Sequence, residues 1–152
     1  MKILVISDSH GRSEYILEAI EKEKPDMVIS CGDYSEDAQD MAYGFPEIPF
    51  QIVRGNCDYY DIDHRDEILL EISSIKFYIT HGHLQNAKGT YSKLETAGEK
   101  AGAKVVLFGH THIPYLEKKK KVILFNPGAL MNKEYGIINI FKDSVDFIHK
   151  KI

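Results

Sequence analysis

One stretch predicts both a buried strand and possible metal ligands: Lys104-Val105-Val106-Leu107-Phe108-Gly109-His110-Thr111-His112. Val105 to Phe108 is a short apolar run rich in β-branched and aromatic residues, which is typical of a strand covered on both faces. Gly109 ends the run and lets the backbone turn closely around a neighbour. His110 and His112 follow two positions apart, on the same side of an extended chain or spread around a centre by a loop. This pair favours metal ligands over hydrogen-bonded surface residues, and further ligands are expected at other strand ends.

Length and composition predict one globular domain over residues 1–152. The sequence is 43% hydrophobic and 28% charged, and its length allows a sizeable core. A net charge of −4 argues against general attraction for nucleic acid. No apolar run is long enough to span a bilayer, and the N-terminus turns polar at Ser7-Asp8, too early for a signal peptide. Cys31 and Cys57 are therefore expected as free thiols in a cytoplasmic protein.

The first thirty residues predict a βαβ unit. Lys2 to Ile6 and Met27 to Ser30 are short apolar runs typical of strands. Between them, residues 12–24 carry apolar side chains at helical spacing, and Ser13 or a neighbour is expected to cap this helix. Strands joined in this way run parallel, so both end at the sheet edge where open α/β sheets bind ligands.

The rest of the sequence predicts more helices, strands and hairpins. These are a helix over 35–43, a strand over 50–53, a hairpin of 67–72 with 76–80, a helix over 90–101, a hairpin of 115–118 with 122–125, and a hairpin of 136–141 with 145–148 through Lys142-Asp143-Ser144. A βαβ unit followed by hairpins indicates two packed sheets with helices outside. His64 and His149 have no evident partner and are expected at the surface.

Five short motifs each follow a predicted strand and carry a carboxylate, amide or imidazole group. They are Asp8-Ser9-His10, Gly32-Asp33, Gly55-Asn56-Cys57-Asp58, His81-Gly82-His83 and Gly109-His110-Thr111-His112. A single Asp-x-His is most often a cap or a surface pair. Five such motifs in succession at strand ends indicate a metal site assembled from several loops.

In order and identity the motifs resemble those of the calcineurin-like metallophosphoesterase superfamily. Its pattern is Asp-x-His, Gly-Asp, Gly-Asn-His-Asp, a His followed by Gly, and Gly-His-x-His. The match runs from Asp8 to His112, and Asn126-Pro127-Gly128 extends it. The small single-domain phosphodiesterases of bacteria and archaea are the most similar subgroup. The resemblance implies an α/β fold: a four-layer αββα sandwich of two mixed β-sheets flanked by helices, with two metal ions at one edge.

The resemblance also implies the ligands. One ion would be held by Asp8, His10, Asp33 and His112, and the second by Asp33, Asn56, His81 and His110, with Asp33 bridging the two. His81 is preferred to His83 because the family's ligand precedes the glycine, which leaves His83 either near the substrate or among the groups that support the ligands. Mixed nitrogen and oxygen ligands suit manganese, nickel, iron, cobalt or zinc better than calcium, and manganese is the first expectation.

The implied activity is that of a metal-dependent phosphodiesterase. Two divalent ions generate a hydroxide from bridging water and clamp the oxygens of an in-line displacement. Asp8 and Asp33 contribute −2 against a formal +4, so the site stays cationic and attracts a phosphate. The expected substrate is a small or terminal phosphodiester.

One position departs from the family pattern. Cys57 stands where the superfamily has a histidine that protonates the leaving group, and a thiol is a poorer proton donor at neutral pH. For Cys57, a packing role and a catalytic role are equally open. Asp58 is expected to orient neighbouring groups. Arg12 either reaches a phosphate oxygen or stays solvated.

Two other functions stay open. One is a catalytically weak scaffold or protein-interaction module on the same fold, like the related retromer subunit, and the other is a phosphomonoesterase. The complete set of ligand residues favours an enzyme. The expected partners are a small phosphodiester, nucleic acid only as a possible substrate, no membrane, and a second copy of the chain in a homodimer or higher homo-oligomer.

Overall fold

The computed structural model describes residues 1–142 and 144–152, which form two β-sheets with helices outside them. In chain order the elements are β1 (Lys2–Ile6), α1 (Ser13–Glu23), β2 (Met27–Ser30), α2 (Ser35–Gly44), β3 (Phe50–Ile52), β4 (Glu67–Ile72), β5 (Ile75–Thr80), α3 (Ser92–Lys100), β6 (Val105–Leu107), β7 (Tyr115–Lys118), β8 (Ile123–Asn126), β9 (Glu134–Ile140) and β10 (Val145–Lys151). A short 3-10 helix at Leu130–Asn132 precedes β9. The predicted helices and strands are present, with small shifts at their ends.

Both sheets are mixed. The first has the strand order β10-β9-β1-β2-β3 and the second β4-β5-β6-β8-β7. Strands β1, β2 and β3 are parallel neighbours, as are β5, β6 and β8. The pairs β4–β5, β7–β8 and β9–β10 are antiparallel, which confirms the three predicted hairpins and the βαβ unit. Because parallel strands end at a common edge, each sheet delivers several loops to one place.

The main core lies between the two sheets. Successive side chains of a strand point to opposite faces, so Ile3 and Val5 of β1 face inward. They share one buried cluster with Phe77, Leu107 and Phe125 of the second sheet. Central strands such as β1 and β6 are buried on their other face as well, which explains their nearly continuous hydrophobic runs.

Helices cover the outer faces. Leu4 of β1 lies in a buried cluster with Ile16 and Ile20 of α1, to which α2 also contributes. On the other side, Val106 of β6 packs with Leu94 of α3. The layers are therefore helix, sheet, sheet, helix, and the predicted four-layer αββα sandwich is confirmed. Among the described residues, none of the helices combines the length and apolar character that crossing a bilayer requires.

Some local predictions were wrong. The side chain of Ser13 does not cap α1, because Arg12 occupies the N-cap position and no side chain there makes a capping hydrogen bond. The backbone O of Arg12 accepts from Tyr15 N–H. His64 is partly buried and contacts Asp61. His149 is exposed but has a partner, because its Nε2 lies 2.7 Å from a backbone carbonyl oxygen of β8. In the predicted turn of the last hairpin, position 143 lies outside the described residues.

A buried charge joins α1 to the last two strands. Glu23, at the end of α1, is only 4% exposed. Its carboxylate accepts hydrogen bonds from Tyr135 Oη (2.8 Å) and from Lys150 Nζ (2.9 Å). Burial raises the pKa of Glu23, but the bonds from Lys150 and Tyr135 lower it more, so the net pKa lies below the ordinary value.

We predict that Glu23→Gln lowers the free energy of unfolding by about 1–3 kcal/mol at pH 7. The variant removes the buried negative charge that accepts hydrogen bonds from Tyr135 and Lys150. Since the folded-state pKa is depressed, this contribution is present above the unfolded-state pKa and is lost as the pH falls through the folded-state value. Urea unfolding in EDTA should therefore show a smaller difference between variant and wild type at about pH 3.5. The exposed Glu21→Gln is the matched control, and an equal difference at both pH values would contradict the assignment.

Candidate metal centre

The loops that follow β1, β2, β3, β5 and β6 meet at one edge of the sandwich. Asp8 N–H donates to Gly32 O (3.0 Å) and ties together two loops of the first sheet. Gly109 N–H donates to His81 O (3.0 Å) and does the same in the second sheet. The sheets are joined where His110 N–H donates to Asp8 Oδ2 (3.1 Å). Loops of both sheets therefore contribute to a single site.

Asp8, His10 and His112 form one group of possible ligands, whose donor atoms lie within 4.8 Å of one another. Asp8 Oδ1 lies 3.0 Å from His112 Nε2 and 3.9 Å from His10 Nε2. The contact between Asp8 Oδ1 and His112 Nε2 is close but does not have hydrogen-bond geometry. In the described part of the chain, neither Asp8 Oδ1 nor His10 Nε2 therefore has a hydrogen-bond partner, although both atoms are buried. Buried polar atoms without partners are costly, and a cation between these side chains would satisfy them.

His81 and Asp33 form a second group, together with Asp8. The Nε2 atom of His81 is 3.3 Å from Asp33 Oδ2 and 3.2 Å from Asn56 Oδ1. Its other nitrogen, Nδ1, lies 2.8 Å from Cys31 O, which can only accept a hydrogen bond. Nδ1 therefore donates to Cys31 O, which leaves Nε2 facing Asp33 and Asn56. Burial lowers the pKa of His81, but the neighbouring carboxylates of Asp33 and Asp8 raise it more. A metal ion bound here would take the place of the proton on Nε2.

Asp33 faces both groups. Its Oδ2 lies 3.3 Å from His81 Nε2 and 3.9 Å from His10 Nε2, while its Oδ1 accepts from Cys57 N–H (2.8 Å). Burial raises the pKa of Asp33, but the bonds from His81 and Cys57 lower it more, so the net pKa lies well below its usual range. The carboxylate is charged and lies where a bridging ligand would.

His83 and His110 lie next to His81. The His110 ring packs edge-on against His81, with ring centroids 5.0 Å apart, and burial lowers the pKa of His110 to about 4. His110 is therefore neutral and able to bind a metal ion. The His83 ring lies 6.2 Å from that of His110, and its buried Nδ1 has no partner among the described residues. Burial also lowers the pKa of His83.

Most of the predicted ligands have an unusual backbone. Asp8 (φ 55°), His10 (48°), Asp33 (60°), His110 (67°) and His112 (58°) all lie in the left-handed region. That conformation costs a non-glycine residue about 1 kcal/mol, and it persists where the surroundings over-determine it, often at functional sites. Here it turns the side chains of neighbouring loops toward one point.

Two glycines are required because backbone passes very close to the carboxylates. A Cβ atom on Gly55 would lie 2.1 Å from Asp33 Oδ1. One on Gly109 would lie 1.8 Å from Ser7 Oγ and 2.7 Å from Asp8 Oδ2. Any side chain at either position would displace a predicted ligand.

Asp58 holds two of the loops in register. Its Oδ2 accepts from the backbone N–H groups of Asp33 (3.1 Å) and Gly55 (2.7 Å), and its Oδ1 accepts from Ser35 N–H (2.9 Å) at the start of α2. The carboxylate thus orients neighbouring backbone, as its place beside the motif suggested, and contributes negative charge at a helix N-terminus.

Two further residues position loops, and sequence reasoning assigned them no role. Asp37 Oδ2 accepts from Ser9 Oγ (2.7 Å) and Gly11 N–H (2.8 Å), so α2 holds the loop that carries His10. Asn126 donates from Nδ2 to Gly109 O (2.8 Å) and steadies the loop that carries the last two histidines. Asn126 belongs to the recognised motif. Asp37 was missed because an acidic residue in the first turn of a helix ordinarily serves only to interact with the helix dipole.

Cys57 contacts the centre through its backbone N–H, which donates to Asp33, and through its sulfur, whereas the Arg12 guanidinium pairs with Glu14. Cys57 is half-buried, and Asn56 Nδ2 lies 3.4 Å from its sulfur. Burial raises the pKa of Cys57 to about 11, as do the nearby carboxylates of Asp33 and Asp58, so the thiol stays protonated. The Arg12 guanidinium lies 3.7 Å from the carboxylate of Glu14, with both side chains more than half exposed.

The fold and the site together define a class. Buried carboxylates, an amide and imidazoles with unpartnered atoms fit divalent transition-metal ions, and the αββα sandwich presents them at one edge, as metal-dependent phosphoesterases do. The chain belongs to the calcineurin-like phosphoesterase superfamily, whose family model matches residues 1–140. This membership confirms the resemblance in the motifs, and the family implies divalent metal ions.

Relatives cover almost the whole chain. A probable metallophosphoesterase of Bacillus subtilis, YsnB, is 34% identical over 95% of this chain and 87% of its own length. Phosphodiesterase MJ0936 of Methanocaldococcus jannaschii is also 34% identical, over 92% of this chain and 90% of its own.

Solved structures show the same fold. A conserved protein of Streptococcus pneumoniae, described as a predicted phosphoesterase, superposes with a TM-score of 0.78 at 28% identity, over 97% of this chain and 88% of its own. Vps29 of Entamoeba histolytica, solved with zinc, has a TM-score of 0.79 over 99% of both chains. Its identity of 16% makes that likeness one of fold alone.

We predict different consequences for the two histidines of the His81-Gly82-His83 turn. His81→Ala should remove about one of two bound metal equivalents, because Nε2 of His81 points into the group containing Asp33. His83→Ala should leave the metal content unchanged and alter rate or substrate affinity. Elemental analysis of both purified variants, with circular dichroism to verify folding, provides the measurement. Loss of metal only in His83→Ala would show that the ligand is His83.

Proposed function

We propose that this protein is a metal-dependent phosphodiesterase that hydrolyses small or terminal phosphodiesters with two divalent ions. The observation that carries the proposal is the position of Asp33, whose Oδ2 faces His10 on one side and His81 on the other. Unpartnered buried atoms on Asp8 and His10 support a cation there. The phosphodiesterase among the relatives supports the substrate class.

In this proposal one ion is held by Asp8, His10, Asp33 and His112, and the other by Asp33, Asn56, His81 and His110. When bound, the ions would supply an activated water and neutralise charge on the phosphoryl oxygens. The protein prepares the donors in advance. Backbone N–H groups of His110 and Cys57 each bind one carboxylate oxygen, which leaves the other oxygen of Asp8 and of Asp33 free for an ion.

Substrate would enter on the side of His10 and His112. Their side chains are 22% and 35% exposed, whereas those of His81 and Asp8 are fully buried. A phosphate arriving there meets a site whose two carboxylates are outweighed by two divalent ions. In this proposal His83, whose ring lies next to those of His81 and His110, would contact the substrate.

A diester is favoured over a monoester because extra positive charge is scarce. Arg12 is paired with Glu14, and Arg54 makes a two-pronged ion pair with Asp66 (2.7 and 3.1 Å). Cys57 replaces a histidine proton donor and has a raised pKa. A monoester dianion would benefit most from unpaired cationic side chains and from a histidine proton donor, and the described residues named here supply neither. The observation that favours the monoesterase alternative is Lys88, whose charge lowers the pKa of His110.

The scaffold alternative rests on the likeness in fold to Vps29, at 16% identity. The filled set of metal-binding residues favours the enzyme.

We propose manganese as the native metal, with nickel, iron, cobalt or zinc as substitutes. Metal-stripped protein should regain hydrolysis of phosphodiesters when manganese is supplied. If no ester in a panel of diesters and monoesters is cleaved with any of these ions, despite confirmed metal loading, the proposed activity is wrong.

Asp33→Asn should abolish turnover and lower metal content while the fold persists. The amide can still accept from Cys57 N–H and keeps the shape of the side chain, so the main change is the loss of the shared negative charge. Calorimetric manganese titration and bis(p-nitrophenyl) phosphate hydrolysis measure the two effects. Retained activity with two bound ions would rule out Asp33 as the bridge.

Bis(p-nitrophenyl) phosphate should be cleaved at least about tenfold more efficiently than p-nitrophenyl phosphate, a difference of roughly 1.4 kcal/mol in transition-state stabilisation. Cys57→His should narrow this preference, because it restores a donor for poorer leaving groups. The comparison uses kcat/KM of manganese-loaded protein. Equal or better wild-type turnover of the monoester would show that the diester preference is wrong.

A further inference from the structure

A cavity of about 510 Å3 opens beside the candidate metal centre, between the start of α2 and the loop after β3. Two of its lining residues, Tyr34 and Cys57, contact residues of the centre. The ring of Tyr34, which lines it, lies 5.0 Å from the ring of His10. Cys57, which also lines it, donates its backbone N–H to Asp33. One substituent of a phosphate held at the centre would therefore extend into this cavity.

Aromatic rings form much of its wall without serving the core. Tyr34 is 44% exposed, Tyr59 82% and Tyr60 96%. Tyr59 and Tyr60 contribute almost nothing to packing, so stability does not explain them, whereas Tyr34 packs against His10. Ring faces beside a cavity attract flat groups and cations, and tyrosine is among the better cation–π partners.

The negative charge of the residues that line the cavity favours a cation over an uncharged flat group. Four carboxylates line the cavity, and no lysine or arginine among the described residues does so. Asp58 and Asp61 are occupied, because their oxygens accept backbone and side-chain donors within the loop. Glu36 and Asp63 are exposed, and neither carboxylate receives a hydrogen bond or ion pair from the described residues.

The nearest arginine does not cancel this charge. Arg54 Nη1 donates to Asp61 O (2.8 Å) behind the cavity wall, but its guanidinium is paired with Asp66. The wall itself is well held. Ser35 Oγ donates to Asp61 Oδ2 (2.5 Å), and His64 joins Asp61 to Gln39 of α2. The cavity is thus present before any ligand binds.

We infer that this cavity binds a positively charged alcohol group of the substrate, so that the preferred diesters carry an ammonium group on one ester arm. Ring faces of Tyr34, Tyr59 and Tyr60 contact the cation, and Glu36 and Asp63 supply opposite charge. A second phosphate or a carboxylate is repelled. This inference rests on the proposed phosphodiesterase activity and names its substrate class.

The kinetic test compares two esters of equal shape. p-Nitrophenyl phosphocholine and p-nitrophenyl 3,3-dimethylbutyl phosphate share the p-nitrophenolate leaving group. On the other ester arm, the first has a quaternary nitrogen where the second has a quaternary carbon. With manganese-loaded protein, kcat/KM should be at least about tenfold higher for the choline ester, mainly through KM. Equal values for the two esters would overturn the inference. So would a preference for thymidine 5′-p-nitrophenyl phosphate, which would indicate a nucleoside in the cavity.

Variants locate the effect. The double variant Glu36→Gln/Asp63→Asn should bring the ratio for the two esters close to one while kcat for the uncharged ester is kept. Tyr59→Leu/Tyr60→Leu should lower the ratio as well. Glu21→Gln and Tyr43→Leu are the matched controls, since both residues are exposed and lie outside the cavity. An unchanged ratio in the two double variants would overturn the assignment of the cavity.

A binding measurement separates this inference from the proposed activity. Calorimetry with the same manganese-loaded protein should show choline binding at least about tenfold more tightly than 3,3-dimethyl-1-butanol, and Glu36→Gln/Asp63→Asn should abolish the difference. If no ester is hydrolysed but this difference is found, the proposed activity fails and the cation site stands. If esters are hydrolysed and the difference is absent, the cation site fails and the activity stands.

Discussion

Everything at the edge of the sandwich depends on burying two carboxylates, Asp8 and Asp33, close to each other. Removing a charge from water costs several kcal/mol unless it is compensated, and two like charges add repulsion. The protein offsets part of this cost with backbone N–H groups from His110 and Cys57. One oxygen on each carboxylate stays directed at imidazole nitrogens. The arrangement is complete only when cations are present, and the loops, glycines and supporting carboxylates are arranged to maintain it.

That constraint also explains the strained backbone. Five of the predicted ligands adopt positive φ, at about 1 kcal/mol each. Their sum is a sizeable fraction of the net stability of an ordinary domain. Regular strands buried on both faces, such as β1 and β6, supply the compensating stability directly before each strained turn. The buried strands therefore stabilise the fold, whereas the ligand-bearing turns that directly follow them destabilise it.

The sequence predicted the strands, two packed sheets with helices outside, and the motifs, because hydrophobic periodicity and strand-end motifs are local signals. The four-layer sandwich was implied by the resemblance of the motifs to a known family. It did not reveal the partners of Glu23, since Tyr135 lies 112 positions away. It gave no role to Asp37, whose contact to the loop of His10 needs the packed helix. Left-handed φ at aspartate and histidine has no compositional signature, so the geometry of the site was invisible even where its residues were recognised.

The hydrogen bond between His110 N–H and Asp8 Oδ2 spans 102 positions and crosses from one sheet to the other. The centre is therefore complete only when both sheets are docked. Ion binding and sheet docking are then thermodynamically linked. An ion present at a hundredfold excess over its dissociation constant adds about 2.7 kcal/mol to the folded state. The free energy of unfolding of this protein would therefore depend on how much metal is available.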